Sequence, residues 1–209
     1  MEERFELLID GILEKGYGIV DDFLSPDEVE ILRQTLYARN QQGEFKTAAI
    51  GNQQVTVQTS IRGDQIRWLD RADALPEETL YLDRVQYLIE YLNRTCYLGL
   101  LDSEIHYALY PAGTFYKRHL DRFRANSSLG GPQRKLSVIC YLNQDWQESD
   151  GGQLVVYLPQ PDGGEEAISI LPAGGRLVCF ESDKLEHEVL PATRERLSLT
   201  GWLRTGGTR

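Results

Sequence analysis

Residues 134–190 read RKLSVICYLNQDWQESDGGQLVVYLPQPDGGEEAISILPAGGRLVCFESDKLEHEVL, and this stretch decides the fold. Short apolar or alternating runs fall at 134–142, 153–158, 166–171, 175–181 and 186–190. Between them stand Gly-Gly pairs at 151–152, 163–164 and 174–175, two of them preceded by an aspartate (Asp150 and Asp162). Runs this short, separated by turn chemistry, predict strands rather than helices. Further runs at 103–110, 114–119 and 195–203 continue the pattern on both sides, with another Gly-Gly pair at 130–131. Roughly eight short strands joined by tight turns predict a β-sandwich or jelly-roll barrel.

Upstream the texture is mixed. Phe5, Leu8, Ile9, Ile12 and Leu13 repeat at helical spacing and Gly16 is a stop signal; Tyr17 to Phe23 then reads as a short strand. Ser25-Pro26-Asp27-Glu28 has the form of a helix start, with a serine cap, proline at the first turn and glutamate three residues on. Val29, Leu32 and Leu36 give that helix a buried face. Val55, Val57, Thr59 and Ile61 alternate as in a strand, and a long helix is expected from about Pro76 to Tyr97. The expected class is α+β, with the early helices packed on one outer face of the barrel. With 209 residues against about 150 per domain, the chain is expected to be a single domain over 1–209, helical support mostly in 1–100 and jelly roll in 101–203.

Lys+Arg total 22 against Asp+Glu 32, a net charge of −10. That balance argues against a general nucleic-acid or anionic-membrane binder. No run approaches the roughly 20 apolar residues of a membrane span. The N-terminal MEERFELLIDGILEKG is acidic and amphipathic, unlike a secretory signal. Cys96, Cys140 and Cys179 are odd in number and lack CxxC spacing, so they read as buried thiols of a reducing, cytoplasmic setting.

The three histidines carry the chemistry. His119 and Asp121 form an H-x-D pair on a strand or strand end, where residues two apart share a face and both can reach one ion. His187 opens a later strand. Two imidazoles and a carboxylate on one face of an iron leave positions open, the arrangement of non-haem Fe(II) oxygenases. Arg196, nine residues beyond His187, is placed to clamp a carboxylate bidentately. His106, alternating with Ala108 and Tyr110, reads as a structural residue and not a fourth ligand.

In these features the sequence resembles the 2-oxoglutarate- and Fe(II)-dependent dioxygenases, and within them the prolyl hydroxylase domain group with its animal oxygen-sensing enzymes and bacterial branch. The resembling segments are Ile61-Arg62-Gly63-Asp64 with Trp68, Tyr110-Pro111, and Tyr116-x-Arg118-His119-x-Asp121. Tyr141-Leu142-Asn143-x-Asp145-Trp146, Gly151-Gly152, His187-Glu188-Val189 and Arg196-x-x-x-Thr200-x-Trp202 follow in order over about the last 150 residues. The resemblance implies a double-stranded β-helix core, Fe(II) held by His119, Asp121 and His187, and 2-oxoglutarate and O2 as co-substrates, with ascorbate as a stimulant. It implies that Arg196 and Tyr141 hold the distal carboxylate of 2-oxoglutarate, that Tyr110 lines its pocket, and that Thr200 stands beside Arg196. Ile139 and Trp202 become apolar walls, and Arg62, Asp64, Arg118 and Trp202 candidates for substrate contact. An internal ion pair within a turn is the competing reading for Arg62 and Asp64.

The implied reaction is hydroxylation of a prolyl residue in a cytosolic protein, with succinate and CO2 released. Bacterial relatives of this compact form point to elongation factor Tu as that protein. The animal enzymes carry a C-terminal helix beyond the last strand, whereas only a short polar segment follows Trp202 here, so their substrate is not carried over. Three alternatives stand beside this one: the same chemistry on a free amino acid or small metabolite, nucleic-acid demethylation, which the charge disfavours, and a non-enzymatic jelly-roll binding module.

Overall fold

The computed structural model describes residues 1–48, 61–121 and 132–206. Helix α1 (Glu2–Lys15) stops at Gly16, whose φ of 81° is left-handed and whose N–H returns to the Ile12 carbonyl. Strand β1 (Tyr17–Val20) is shorter than expected, because the chain turns at Asp21-Asp22, with Asp22 at φ 54°. Helix α2 (Pro26–Gln41) has the capping box read from the sequence: Ser25 Oγ accepts from Glu28 N, and Glu28 Oε2 accepts from Ser25 N at 2.7 Å. Strands β2 (Lys46–Thr47) and β3 (Gln65–Trp68) precede helix α3 (Pro76–Cys96), which ends on a left-handed Tyr97. The strand expected at 55–61 lies outside the described residues except for Ile61, which sits in a turn.

The remaining strands follow the sequence pattern closely. They are β4 (Leu100–Tyr110), β5 (Tyr116–His119), β6 (Gln133–Tyr141), β7 (Leu154–Pro159), β8 (Glu165–Ile170), β9 (Leu177–Glu181), β10 (Glu186–Val189) and β11 (Arg196–Thr205). β4 starts three residues early, and β5 starts late because 111–115 form a turn. Among the described residues the strands form two antiparallel sheets. The major sheet has the order β1-β9-β6-β11-β4-β3-β2 and the minor sheet β5-β10-β7-β8. This is the expected jelly roll.

Alternation of side chains divides the major sheet into two faces. Tyr107 and Leu109 of β4, Val138 and Cys140 of β6, and Leu197 and Leu199 of β11 share a core with Leu8 of α1, Leu32 of α2 and Leu88 of α3. The helices therefore cover one outer face. The intervening residues Ala108, Tyr110, Ile139 and Tyr141 point the other way, toward Leu154 and Val189 of the minor sheet. Cys140 and Cys179 are buried and Cys96 is half-buried, all three as free thiols. Among the described residues no helix is long and apolar enough to cross a membrane.

Leu199 has no exposed surface and joins the helix-facing core. Leu199→Ala is expected to destabilise the fold by about 3 kcal/mol, read as a lower urea midpoint at unchanged m-value.

Candidate active site

Antiparallel pairing of β5 with β10 sets His119 directly opposite His187. The two imidazoles share a face of the minor sheet, with ring centroids 4.3 Å apart. Asp121, just past the end of β5, places its carboxylate between them: Oδ1 lies 3.5 Å from His119 Nε2 and Oδ2 3.6 Å from His187 Nε2. One donor atom from each residue falls within 4.8 Å of the others. His119 Nδ1 is 2.7 Å from the Lys117 carbonyl and His187 Nδ1 is 3.2 Å from the Leu185 carbonyl. A carbonyl only accepts, so each Nδ1 carries the proton and each Nε2 presents its lone pair to the shared space.

Neighbouring rings fix these orientations. Tyr116 stacks on His119 at 3.6 Å, the Arg62 guanidinium lies 4.4 Å over the other side of the column, and Phe180 packs edge-on against His187 at 4.7 Å. Burial pushes the His187 imidazole below its ordinary pKa and keeps it neutral. Burial works against the charge of Asp121, but the facing imidazoles and the Ser137 hydroxyl outweigh it and hold the carboxyl below the usual carboxylate range. A neutral His187 imidazole and an ionised Asp121 carboxylate are states a divalent metal requires.

The second half of the site is carried by β11. Arg196 pairs in register with Tyr110 and is 2% exposed, its guanidinium lying about 5 Å from the rings of Tyr110 and Tyr141. Its Nε donates to the Gly152 carbonyl at 2.9 Å, and among the described residues no carboxylate pairs with it. Gly152 has φ 69°, and a Cβ there would lie 3.2 Å from Arg196 Cδ, so glycine admits the arginine side chain. The Tyr141 hydroxyl is buried without a partner. A buried cation lacking its counter-ion, next to an unpaired phenol, fits a carboxylate ligand. Thr200 stands two residues beyond Ser198 and shares a 3.0 Å hydroxyl contact with it.

A cavity of about 590 Å³ joins the two halves, within the range of small-molecule sites. His119, Asp121, His187, Arg196, Tyr110, Thr200, Ile139 and Trp202 all line it. Tyr141 lies behind Arg196 instead of on the cavity wall. Arg62 and Asp64 also line the cavity but are bound to each other, Nε–Oδ1 at 2.7 Å and a second guanidinium nitrogen to Oδ2 at 2.5 Å, the internal pair read as the alternative. Arg118 is not brought to the site. One residue before His119, it faces away from the cavity, bonds Glu186 at 2.8 Å and Glu165 at 2.7 Å, and lies over Tyr157.

Two contributors were missed in the sequence. Ser137 Oγ donates to Asp121 Oδ2 at 2.7 Å and is 2.9 Å from Ser182 Oγ, both serines being fully buried. Alternation along β6 from Tyr141 through Ile139 puts Ser137 on the same inward face, but nothing in that pattern names Asp121 as its partner. Arg134 covers the Trp202 ring at 3.3 Å and donates to the Asp121 carbonyl at 3.2 Å. Its only sequence cue is a cationic side chain at the start of β6.

Residues 105–204 match the model of the 2OG-Fe(II) oxygenase superfamily. The chain is 41% identical to a prolyl-4-hydroxylase of Pseudomonas putida, with a TM-score of 0.82 over 97% of this chain and 100% of that one. It is 30% identical, again with a TM-score of 0.82, to a Trichoplax adhaerens prolyl hydroxylase solved with a hypoxia inducible factor peptide fragment, covering 97% of this chain and 89% of that one. Human Egl nine homolog 1 is 30% identical over 94% of this chain and 46% of that protein, so the chain spans about half the length of the curated relatives it matches.

Because Ser137 orients the acidic ligand, Ser137→Ala is expected to weaken Mn(II) binding to the metal-free protein about tenfold or more. Anaerobic titration calorimetry reads this directly, with His119→Ala as the control that loses binding.

Proposed function

The chain belongs to the 2OG-Fe(II) oxygenase superfamily, and from that premise we propose that it is a prolyl 4-hydroxylase acting on a protein substrate in the cytosol. The observation that carries the reading is the pairing of the His119–Asp121–His187 donor set with the buried, counter-ion-free Arg196 in one cavity. The family uses Fe(II), 2-oxoglutarate and O2. Together these supply the oxidising chemistry that inserts one oxygen atom into a C–H bond while releasing succinate and CO2.

The chain's own residues would divide the work as follows. His119 and His187, through Nε2, and Asp121, through its carboxylate, would hold the iron from one side and leave the cavity side open. Arg196 would receive the distal carboxylate of 2-oxoglutarate, and the Tyr141 hydroxyl would donate to the same group. Burial raises the pKa of Tyr141 and of Tyr110, so both phenols remain protonated donors. Thr200 would support the clamp, and Ile139, Leu154 and Val189 would exclude water from it. On this reading residues 1–209 act as one catalytic domain.

A peptide-bound relative supports a protein substrate, and the Pseudomonas putida enzyme supports the bacterial branch. Elongation factor Tu is the protein with which we would begin.

The test is anaerobic reconstitution with Fe(II) and 2-oxoglutarate, followed by O2-dependent succinate formation with elongation factor Tu, a panel of single-proline peptides, and free proline. Wild type is expected to respond to protein or peptide and to gain 16 Da on the proline by mass spectrometry, about the mass of one oxygen atom. Arg196→Ala is expected to raise the 2-oxoglutarate KM roughly 10- to 100-fold, the strength of a charged hydrogen-bonded clamp. Response to free proline alone would move the assignment to a small metabolite.

A further inference from the structure

His106 occupies the cavity wall and has no place in the iron or 2-oxoglutarate roles. It lies on β4 opposite Thr200 of β11, facing inward with Ala108 and Tyr110. Its ring packs against two indoles, 4.7 Å from Trp68 and 5.6 Å from Trp202, which touch each other at 6.2 Å. It is 3% exposed, and its Nδ1 is sealed without a hydrogen-bond partner, as is the neighbouring Trp202 Nε1. A sealed Nδ1 can meet no ligand, so Nε2 is the atom through which this cavity-lining ring can bind one.

The chemistry of that ligand follows from the ring. His106 faces Asp64 and Asp121 on one side of the charge balance and Arg62 and Arg134 on the other, and burial dominates, pushing its pKa to about 3. It is a neutral imidazole at any working pH. A sealed N–H is rarer in proteins than a sealed lone pair, which puts the proton on Nε2 and makes that nitrogen a donor. A neutral donor calls for a neutral acceptor. The distal carboxylate of the co-substrate is assigned to Arg196, which pairs with Tyr110 four residues along β11 from the Thr200–His106 pair, so the acceptor at His106 belongs to a second ligand. A prolyl residue, lacking a backbone N–H, can offer the protein only its carbonyl oxygen.

We propose that His106, packed against Trp68 and Trp202, is a substrate-specificity residue that donates a hydrogen bond to a backbone carbonyl oxygen at or beside the target proline. The indoles take the apolar part of the same segment, and Trp68, 47% exposed, forms the outer lip of the subsite. This assignment rests on the protein-prolyl reading and adds to it the group that selects a peptide.

The experiment compares wild type, His106→Phe and His106→Gln with the best single-proline peptide of the panel, measuring peptide KM, kcat and the 2-oxoglutarate Kd of the Mn(II)-loaded protein. His106→Phe keeps a ring against the indoles and removes the donor, whereas His106→Gln keeps a donor. The expected result is a peptide KM raised about tenfold in His106→Phe, the factor one net hydrogen bond provides. His106→Gln should recover part of that loss, and the 2-oxoglutarate Kd should stay unchanged in both. An unchanged peptide KM in His106→Phe overturns the assignment and leaves the prolyl hydroxylase reading standing, as does a loss of 2-oxoglutarate binding equal to the loss of peptide affinity. Wild type that turns over no prolyl peptide and no protein overturns both.

Discussion

The register of β5 against β10 is the constraint on which the site depends. With His119 opposite His187, the two imidazoles meet on one face, and the residue two beyond His119 falls between them. Each ring is anchored by its Nδ1–H to the carbonyl two residues earlier in its own strand, so the same local geometry orients both Nε2 atoms. A slip of one residue would turn one imidazole to the outer surface, where Arg118 and Glu186 now pair. The outward ion pairs of the minor sheet and the inward donor set are two faces of one register.

The same period of two governs the major sheet. β11 alternates Leu197, Leu199 and Leu203 toward the helices with Arg196, Ser198, Thr200 and Trp202 toward the cavity. The apolar set locks the strand between β4 and β6, and that lock holds the polar set at fixed spacing along the cavity. Helices α1 to α3 thus serve the chemistry indirectly, by making the other face of the sheet immovable.

Strands were legible because turn chemistry bounds them: Asp-Gly and Gly-Gly at 150–152 and 162–164 fix β7 and the β7–β8 hairpin to within a residue or two. His119, Asp121 and His187 were legible because three histidines in 209 residues leave few ways to build a metal site. What the sequence could not convey was which side chains pair across strands. Ser137 is an ordinary strand serine until β6 brings it to Asp121, and Arg118 looks like a neighbour of the site until the strand period turns it outward. Arg62 and Asp64 are two charged residues in a turn, and only their 1% and partial exposure in the cavity shows that they satisfy each other first. Tertiary hydrogen bonds of this kind have no local signature.

Charge balance distinguishes one arginine among several as the candidate anion site. Four arginines line the described part of the cavity. Arg62 is matched by Asp64, Arg67 by Glu44 and Asp73, and Arg134 by Glu104, with separations from 2.5 to 3.4 Å. Arg196 alone is buried without a carboxylate. In a chain of net charge −10 an incoming dianion is repelled at long range, so attraction must come from a local cation whose field is not already cancelled. The matched arginines leave Arg196, beside Tyr141, as the buried cation of the lining whose field is not cancelled, with Lys46 as an exposed one. On the proposed reading, the sorting of co-substrate from substrate rests on which guanidiniums have partners, more than on how many there are.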